Sequence, residues 1–260
     1  MDKQHHIQLK RGDVGRYILL PGDPGRCDEI AEYLEHARLV SQNREFTSYT
    51  GMLLNEPVSV VSTGIGGAST AIAVEELVNL GADTFIRVGT CGGMSPDVRV
   101  NDIIIANAAI RFDGTSKEYI PVEFPAVADY GMLRVLDDAA SELGISHHIG
   151  VVHCKDSFYG QHHPERMPLR NELLSKWQAW RDAGALASEM ESSTLFILGS
   201  ILRVRTGTVL SVAGNQVCDR LGISNPVYLG TRTAIEVAIL ALRKLIHLSY
   251  PDRVYMEDKS

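Results

Sequence analysis

Ser62-Thr63-Gly64-Ile65-Gly66-Gly67-Ala68-Ser69 and Arg87-Val88-Gly89-Thr90-Cys91-Gly92-Gly93 decide how this chain is read. Each stretch follows a run of β-branched and apolar residues, and the second carries its arginine within the strand. A third unit lies upstream, where Tyr17-Ile18-Leu19-Leu20 runs into Pro21-Gly22-Asp23-Pro24-Gly25-Arg26 and a helical stretch. Glycine turns let backbone N–H groups approach an anion closely, and a helix starting there adds the positive end of its dipole. Arg26 and Arg87 add guanidinium forks that bind oxyanions bidentately. Three strand-turn-helix units with two arginines predict an oxyanion site.

The surrounding pattern alternates short strands with helices. Residues 58–62, 84–88, 102–108 and 206–212 read as buried strands, with another near 148–152. Residues 68–80 read as a helix closed by Gly81 and residues 130–143 as one closed by Gly144. Further helices are expected over 171–182, 189–198 and 226–248, the last with a core-facing stripe through Ile235, Ala238, Ile239, Leu242 and Leu245. This order predicts an α/β fold of three layers, a mixed central β-sheet flanked by helices. Ligands in such sheets bind at the carboxyl ends of strands, where all three glycine turns fall.

With 260 residues and no linker, repeat or low-complexity tract, residues 1–260 are expected to form one domain. A net charge of −7 argues against broad binding to nucleic acid or anionic membranes. No apolar run is long enough to span a bilayer and the first six residues lack a signal-peptide core, so a cytoplasmic location is expected. Cys27, Cys91, Cys154 and Cys218 are too scattered for a zinc cluster or a disulfide framework and read as reduced packing residues. The pairs His5-His6, His147-His148 and His162-His163 lack metal-ligand spacing, and neighbours on a strand or helix point apart.

Five ordered blocks carry a resemblance that spans nearly the whole chain. Residues 62–72 followed by Glu76-Leu77, Gly22-Asp23-Pro24-x-Arg26, Arg44-Glu45-Phe46, Arg87-x-Gly89-Thr90 and Glu189-Met190-Glu191-Ser192 resemble the nucleoside phosphorylase family. Phe124-Pro125-Ala126-Val127-Ala128-Asp129 and Asp156-Ser157-Phe158-Tyr159 are closest to its uridine-specific branch. The resemblance implies that inorganic phosphate cleaves uridine to uracil and ribose 1-phosphate, with no cofactor required. It implies that Gly22, Arg26, Arg87 and Thr90 hold phosphate, with Arg44 reaching in from a neighbouring subunit of a homohexamer built from dimers. Glu191 then accepts from ribose hydroxyls, Met190 packs under the sugar beside Thr90, and His6 is lent by a neighbouring subunit to the 5′-hydroxyl. His5 leaves that register open.

The implied chemistry passes through an oxocarbenium-like ribose, as in glycoside hydrolysis, so phosphate serves as nucleophile and counter-charge and catalysis rests on positioning. Phe158 offers a stacking face and Gln161 an amide that matches one uracil carbonyl and N3–H. Familiar members have an arginine two residues after that glutamine; here His163 stands there, and the second base contact is either His163 or Arg166. Asn215-Gln216 likewise replaces an Asn-Arg pair and removes one base-side arginine. Glu45, Ile65 and Ser69 resemble positions that hold a monovalent cation, potassium, between subunits. Competing readings are a purine phosphorylase or nucleosidase of the same fold and a non-catalytic nucleoside-binding protein. The first requires an acid for the departing purine, where Asn215 is an amide. The second leaves the grouping of Arg26, Arg87, Thr90 and Glu191 without a purpose. A dinucleotide fold fails because neither turn reads GxGxxG with a following acidic residue.

Overall fold

Alternation along the first strand sets the layers. In the computed structural model, which describes residues 3–249, β1 (Tyr17–Pro21) is buried throughout. Ile18 and Leu20 enter one apolar cluster with Val74, Leu77, Leu195 and Leu198. Tyr17 and Leu19 enter a second with Leu136, Ala238 and Leu242. A strand covered on both faces reads as an unbroken apolar run, which is why Tyr17-Ile18-Leu19-Leu20 shows no polar alternation.

The chain continues through α1 (Cys27–Ala31), β2 (Glu35–Asn43), β3 (Phe46–Leu53), β4 (Glu56–Val61), α2 (Gly67–Asn79), β5 (Thr84–Gly93), β6 (Ile103–Phe112) and α3 (Thr115–Tyr119). It then forms β7 (Ala126–Val127), α4 (Tyr130–Glu142), β8 (His147–Lys155), α5 (Phe158–His162), α6 (Arg170–Asp182) and β9 (Ala187–Glu189). The last elements are α7 (Ser192–Leu202), β10 (Arg205–Asn215), α8 (Gln216–Arg220) and α9 (Arg232–Ser249).

The strands join one mixed sheet in the order β10-β6-β8-β9-β5-β1-β4-β3-β2, with β7 beside β6. Because β10 also pairs with β5, the strands β5, β10, β6, β8 and β9 close into a ring of pairings, and the others leave it as an open arm. Helices α2 and α7 cover one face and α4 and α9 the other, which gives the expected α/β arrangement of a mixed sheet between helices. Gly67 opens α2 where a Cβ would come within 2.5 Å of Thr194 Oγ1, so only glycine allows α2 to sit this close to α7. No helix among the described residues is long and apolar enough to cross a membrane.

Three expectations need correction, and one pair of strands was not anticipated. Gly89 to Gly93 do not form a turn leading into a helix: β5 runs to Gly93, paired with β10 from Leu210 to Asn215 across a register shift between Val212 and Gly214, so the sheet takes up that backbone. The helix expected over 189–198 starts at Ser192, because Glu189 ends β9. Residues 226–231 lie outside α9, which begins at Arg232. The β2–β3 hairpin had no signal in the sequence, since β2 is mostly exposed and carries charged and polar side chains. Of the opening six residues, Met1 and Asp2 lie outside the described ones.

Leu242 is fully buried between α9 and its neighbours. Leu242→Ala is expected to lower the free energy of unfolding by about 2–5 kcal/mol, read from chemical denaturation.

Candidate active site

Arg87 sits on β5, 5% exposed, with two carboxylates turned onto it. Its Nε donates to Glu189 Oε2 at 2.9 Å, and its Nη2 lies 2.5 Å from Glu191 Oε2. Glu189 is the last residue of β9, while Glu191 precedes α7 with φ −131° and ψ −25°. The bend between them lets carboxylates two apart in sequence approach different nitrogens of one guanidinium. Glu189 also accepts the backbone N–H groups of Glu191 and Ser192, which are unpaired donors at the start of α7. Burial opposes the charge on Arg87, but Glu191 and Glu189 outweigh it and hold the guanidinium protonated. Burial raises the Glu191 carboxyl, with Arg87 pulling the other way and Glu189 adding to the rise.

The glycine turns meet at the same place. Gly66, at φ +94°, donates its N–H to Glu191 Oε1 at 2.6 Å, so that donor is taken by a carboxylate of the chain itself. A Cβ on Gly22 would lie 3.2 Å from Gly64 O and 3.9 Å from Arg87 Nη1. Nη1 has no protein partner among the described residues, so the open corner of Arg87 faces the Gly22 turn. A Cβ on Gly89 would stand 2.9 Å from Arg87 Nη2, so the absent side chain leaves the guanidinium room to fold back over its own strand. Arg26 ends the short turn Pro24–Arg26, half-buried and without a side-chain partner among the described residues. Thr90 lies half-buried farther along β5.

A second cluster starts one residue before Glu189. Ser188 Oγ donates to Gln161 Oε1 at 2.6 Å and is approached by Lys155 Nζ and His153 Nδ1, each at 2.9 Å. A hydroxyl has one proton and two acceptor sites, so Lys155 and His153 both donate into Ser188. His153 is therefore the Nδ1–H tautomer. Burial, with Lys155 nearby, lowers its pKa to about 3, and the neutral ring stacks on Trp180 at 4.3 Å. Burial also lowers the Lys155 pKa, opposed by Glu189. Gln161 Nε2 donates to Gln216 Oε1 at 3.2 Å, which leaves one amide N–H and one carbonyl lone pair open. A cavity of about 40 Å³, bordered by Gln161, Lys155, His153, Trp177 and Trp180, adjoins this cluster.

Phe158, at the start of α5, stacks on His162 at 4.2 Å, and His162 Nδ1 lies 2.7 Å from Gln216 Nε2. His163 is exposed and pairs with Glu165 at 3.3 Å, and Arg166 is exposed in a one-turn helix. The histidine brought against Phe158 and Gln216 is thus His162. Asn215 donates to the carbonyls of Ser95 and Val98 and accepts from the N–H groups of Val217 and Cys218. Its amide caps α8 and is fully used. Met190 lies half-buried between Glu189 and Glu191.

His6 and Arg44 form a third group. Glu76 accepts the N–H groups of His6 and Ile7 and pairs with His6 Nδ1 at 2.7 Å. His5 is exposed. Asn43 Nδ2 donates to His6 O, next to the turn where exposed Arg44 sits at φ +54°. Among the described residues no hydrogen bond or ion pair joins His6 or Arg44 to Arg87, Glu191 or Gln161. Glu45, Ile65 and Ser69 lie side by side: a Cβ on Gly64 would touch Glu45 and Ser69, and Ser69 Oγ donates to Ile65 O at 3.2 Å. No group of three His, Cys, Asp or Glu side chains among the described residues has metal-binding geometry. All four cysteines are free and buried, and burial pushes the Cys91 thiol up, which makes it a poor nucleophile.

Comparison of the sequence with known proteins finds clear relatives. A family model described as the phosphorylase superfamily matches residues 16–245. A uridine phosphorylase of Treponema pallidum is 54% identical over 96% of this chain and 97% of its own. A uridine phosphorylase of Thermococcus kodakarensis is 46% identical over 84% of this chain and 80% of its own. A guanosine phosphorylase of Halorubrum lacusprofundi is 41% identical, covering 84% and 86% respectively.

His153 supplies a pH test of the second cluster. Its folded pKa, about 3, lies below the ordinary 6.5, so the unfolded chain takes up the proton first as pH falls. The contribution is fully present above 6.5 and is lost between 6.5 and about 3. Over that window the wild type is expected to lose on the order of 1 kcal/mol more per pH unit than His153→Gln, measured by denaturation at each pH.

Proposed function

The chain belongs to the phosphorylase superfamily, and from that premise we propose that it cleaves uridine with inorganic phosphate to uracil and ribose 1-phosphate. The observation that carries the reading is Arg87, a buried guanidinium with two corners held by carboxylates and a third open towards Gly22. A fixed fork facing a glycine turn suits a phosphate oxygen, and Arg26 stands at the end of that turn without a partner. Gly22, Arg26, Arg87 and Thr90 hold the phosphate from this protomer, and Arg44 completes the site from a neighbouring one.

The sugar lies between phosphate and base. Ribose hydroxyls donate to Glu191, Met190 packs beneath the ring, and phosphate attacks C1′ as the glycosidic bond breaks. The new C–O bond forms at C1′ and the electron pair of the broken C–N bond leaves with the base. Positive charge on the ribose falls between the phosphate and Glu191, so catalysis is positioning and electrostatics. Glu76 holds His6 by its Nδ1 and leaves Nε2 for the 5′-hydroxyl of a neighbouring site. Such shared sites require an oligomer, here a homohexamer built from dimers, and the reading places it in the cytoplasm. Oxygens of Glu45, Ile65 and Ser69 suit a potassium ion at the subunit boundary.

Gln161 keeps one N–H and one lone pair for uracil, and Phe158 supplies a stacking face. Guanosine is the second reading, favoured by the haloarchaeal relative. A purine leaves with the help of a proton, however, and Asn215 is an amide whose hydrogen bonds are all taken.

Incubating the protein with a nucleoside panel, with and without phosphate, tests the reading. Uracil release from uridine is expected only with phosphate, with guanosine and inosine slower by at least about 10²-fold, the low end of general acid catalysis. Guanosine cleaved as fast as uridine would overturn the pyrimidine assignment.

A further inference from the structure

Lys155 stands at the end of β8, 4% exposed, in a position where the motifs assign nothing. Its ammonium donates to Ser188 Oγ at 2.9 Å, lies 3.5 Å from Glu189 O and is 5.9 Å from the centre of the Phe158 ring. Packing does not explain it. Phe112, Trp177 and Trp180 line the adjoining cavity, where an apolar side chain would avoid the penalty of burying a charge.

We propose that Lys155 is a positioning residue for departure of the base: through Ser188 it polarises the Gln161 amide that faces the pyrimidine. The inference rests on the uridine reading above. It follows from the direction of each hydrogen bond. The Ser188 proton goes to Gln161 Oε1, so the serine can receive the lysine only as a donor. A cation donating into a hydroxyl strengthens that hydroxyl as a donor, and an amide whose oxygen accepts a stronger bond becomes a better N–H donor. One Gln161 N–H is fixed by Gln216, and the other is open to a uracil carbonyl. As the C–N bond breaks, the electron pair spreads onto the uracil carbonyls, and the polarised N–H meets charge that the ground state lacks. A lysine reached through a serine thus supplies positive character where Gln216 stands in place of an arginine.

A purely electrostatic role is the competing account. Glu189 and Glu191 are two buried carboxylates against one buried guanidinium, and Lys155 would balance the second. That role affects every substrate alike. A role in base departure affects most the base that leaves least easily.

The test compares kcat/KM for uridine and for 5-fluorouridine, whose base is more acidic, in the wild type and in Lys155→Met. Where the methionine variant does not fold, judged by its thermal midpoint, Lys155→Gln takes its place. Uridine is expected to lose about tenfold or more and 5-fluorouridine at least about threefold less, mainly in kcat, as fits a contact strengthened in the transition state. Lys155→Arg is expected to regain part of the uridine rate. Equal losses for the two substrates, or none, would overturn the role of Lys155 while leaving phosphorolysis standing. A wild type that releases no uracil from uridine in phosphate would overturn both.

Discussion

A guanidinium cannot be buried alone, and the site is built around that constraint. Removing a charge from water costs several kcal/mol unless partners replace the lost hydration. Arg87 meets the requirement with Glu189 and Glu191, which must then sit at the end of one strand and the start of one helix. Glu189 ties the pair to the N-terminus of α7, and Gly66 ties it to the N-terminus of α2. Two helices of one layer and two strands of the sheet thus converge on a single side chain. Since Nε and Nη2 are occupied, the direction left open by Nη1 is set by the fold before any ligand arrives.

The segment Ser188-Glu189-Met190-Glu191 distributes the work. Ser188 anchors Gln161, Glu189 anchors Arg87, and Glu191 reaches the same guanidinium; in the proposed reading these three serve base, phosphate and sugar. Four consecutive residues reach different partners because the chain changes there from strand to helix. The β5–β9 pairing of Gly92 with Ser188 fixes that segment against the strand that carries Arg87.

Much of this was legible in the sequence. The inner strands and long helices are covered on one or both faces, so apolar runs and capping glycines marked β1, β4, β10, α2 and α4 to within a few residues. The blocks around Gly22, Arg87 and Glu191 marked the residues that the fold brings together. What escaped has physical reasons. Strand β2 is largely exposed and reads as a polar loop. The bend that brings Glu189 and Glu191 to one guanidinium is tertiary and leaves no mark in their spacing. Lys155 and Ser188 belong to no motif, and no pattern in the sequence joins the end of β8 to β9. His163 was named as a candidate base contact and His162 was given no role, and α5 turns the two rings to different partners.

The central claim is that Glu189 fixes Arg87 for phosphate, and calorimetric titration of phosphate tests it most directly. Glu189→Gln keeps the shape but removes the charge that holds Nε, and it weakens a charge-assisted bond commonly worth about 1.5–3 kcal/mol. A loss of phosphate affinity of roughly tenfold or more, titrated at a temperature where the variant is still folded in chloride, is the result this account predicts. Phosphate affinity equal to that of the wild type would contradict it.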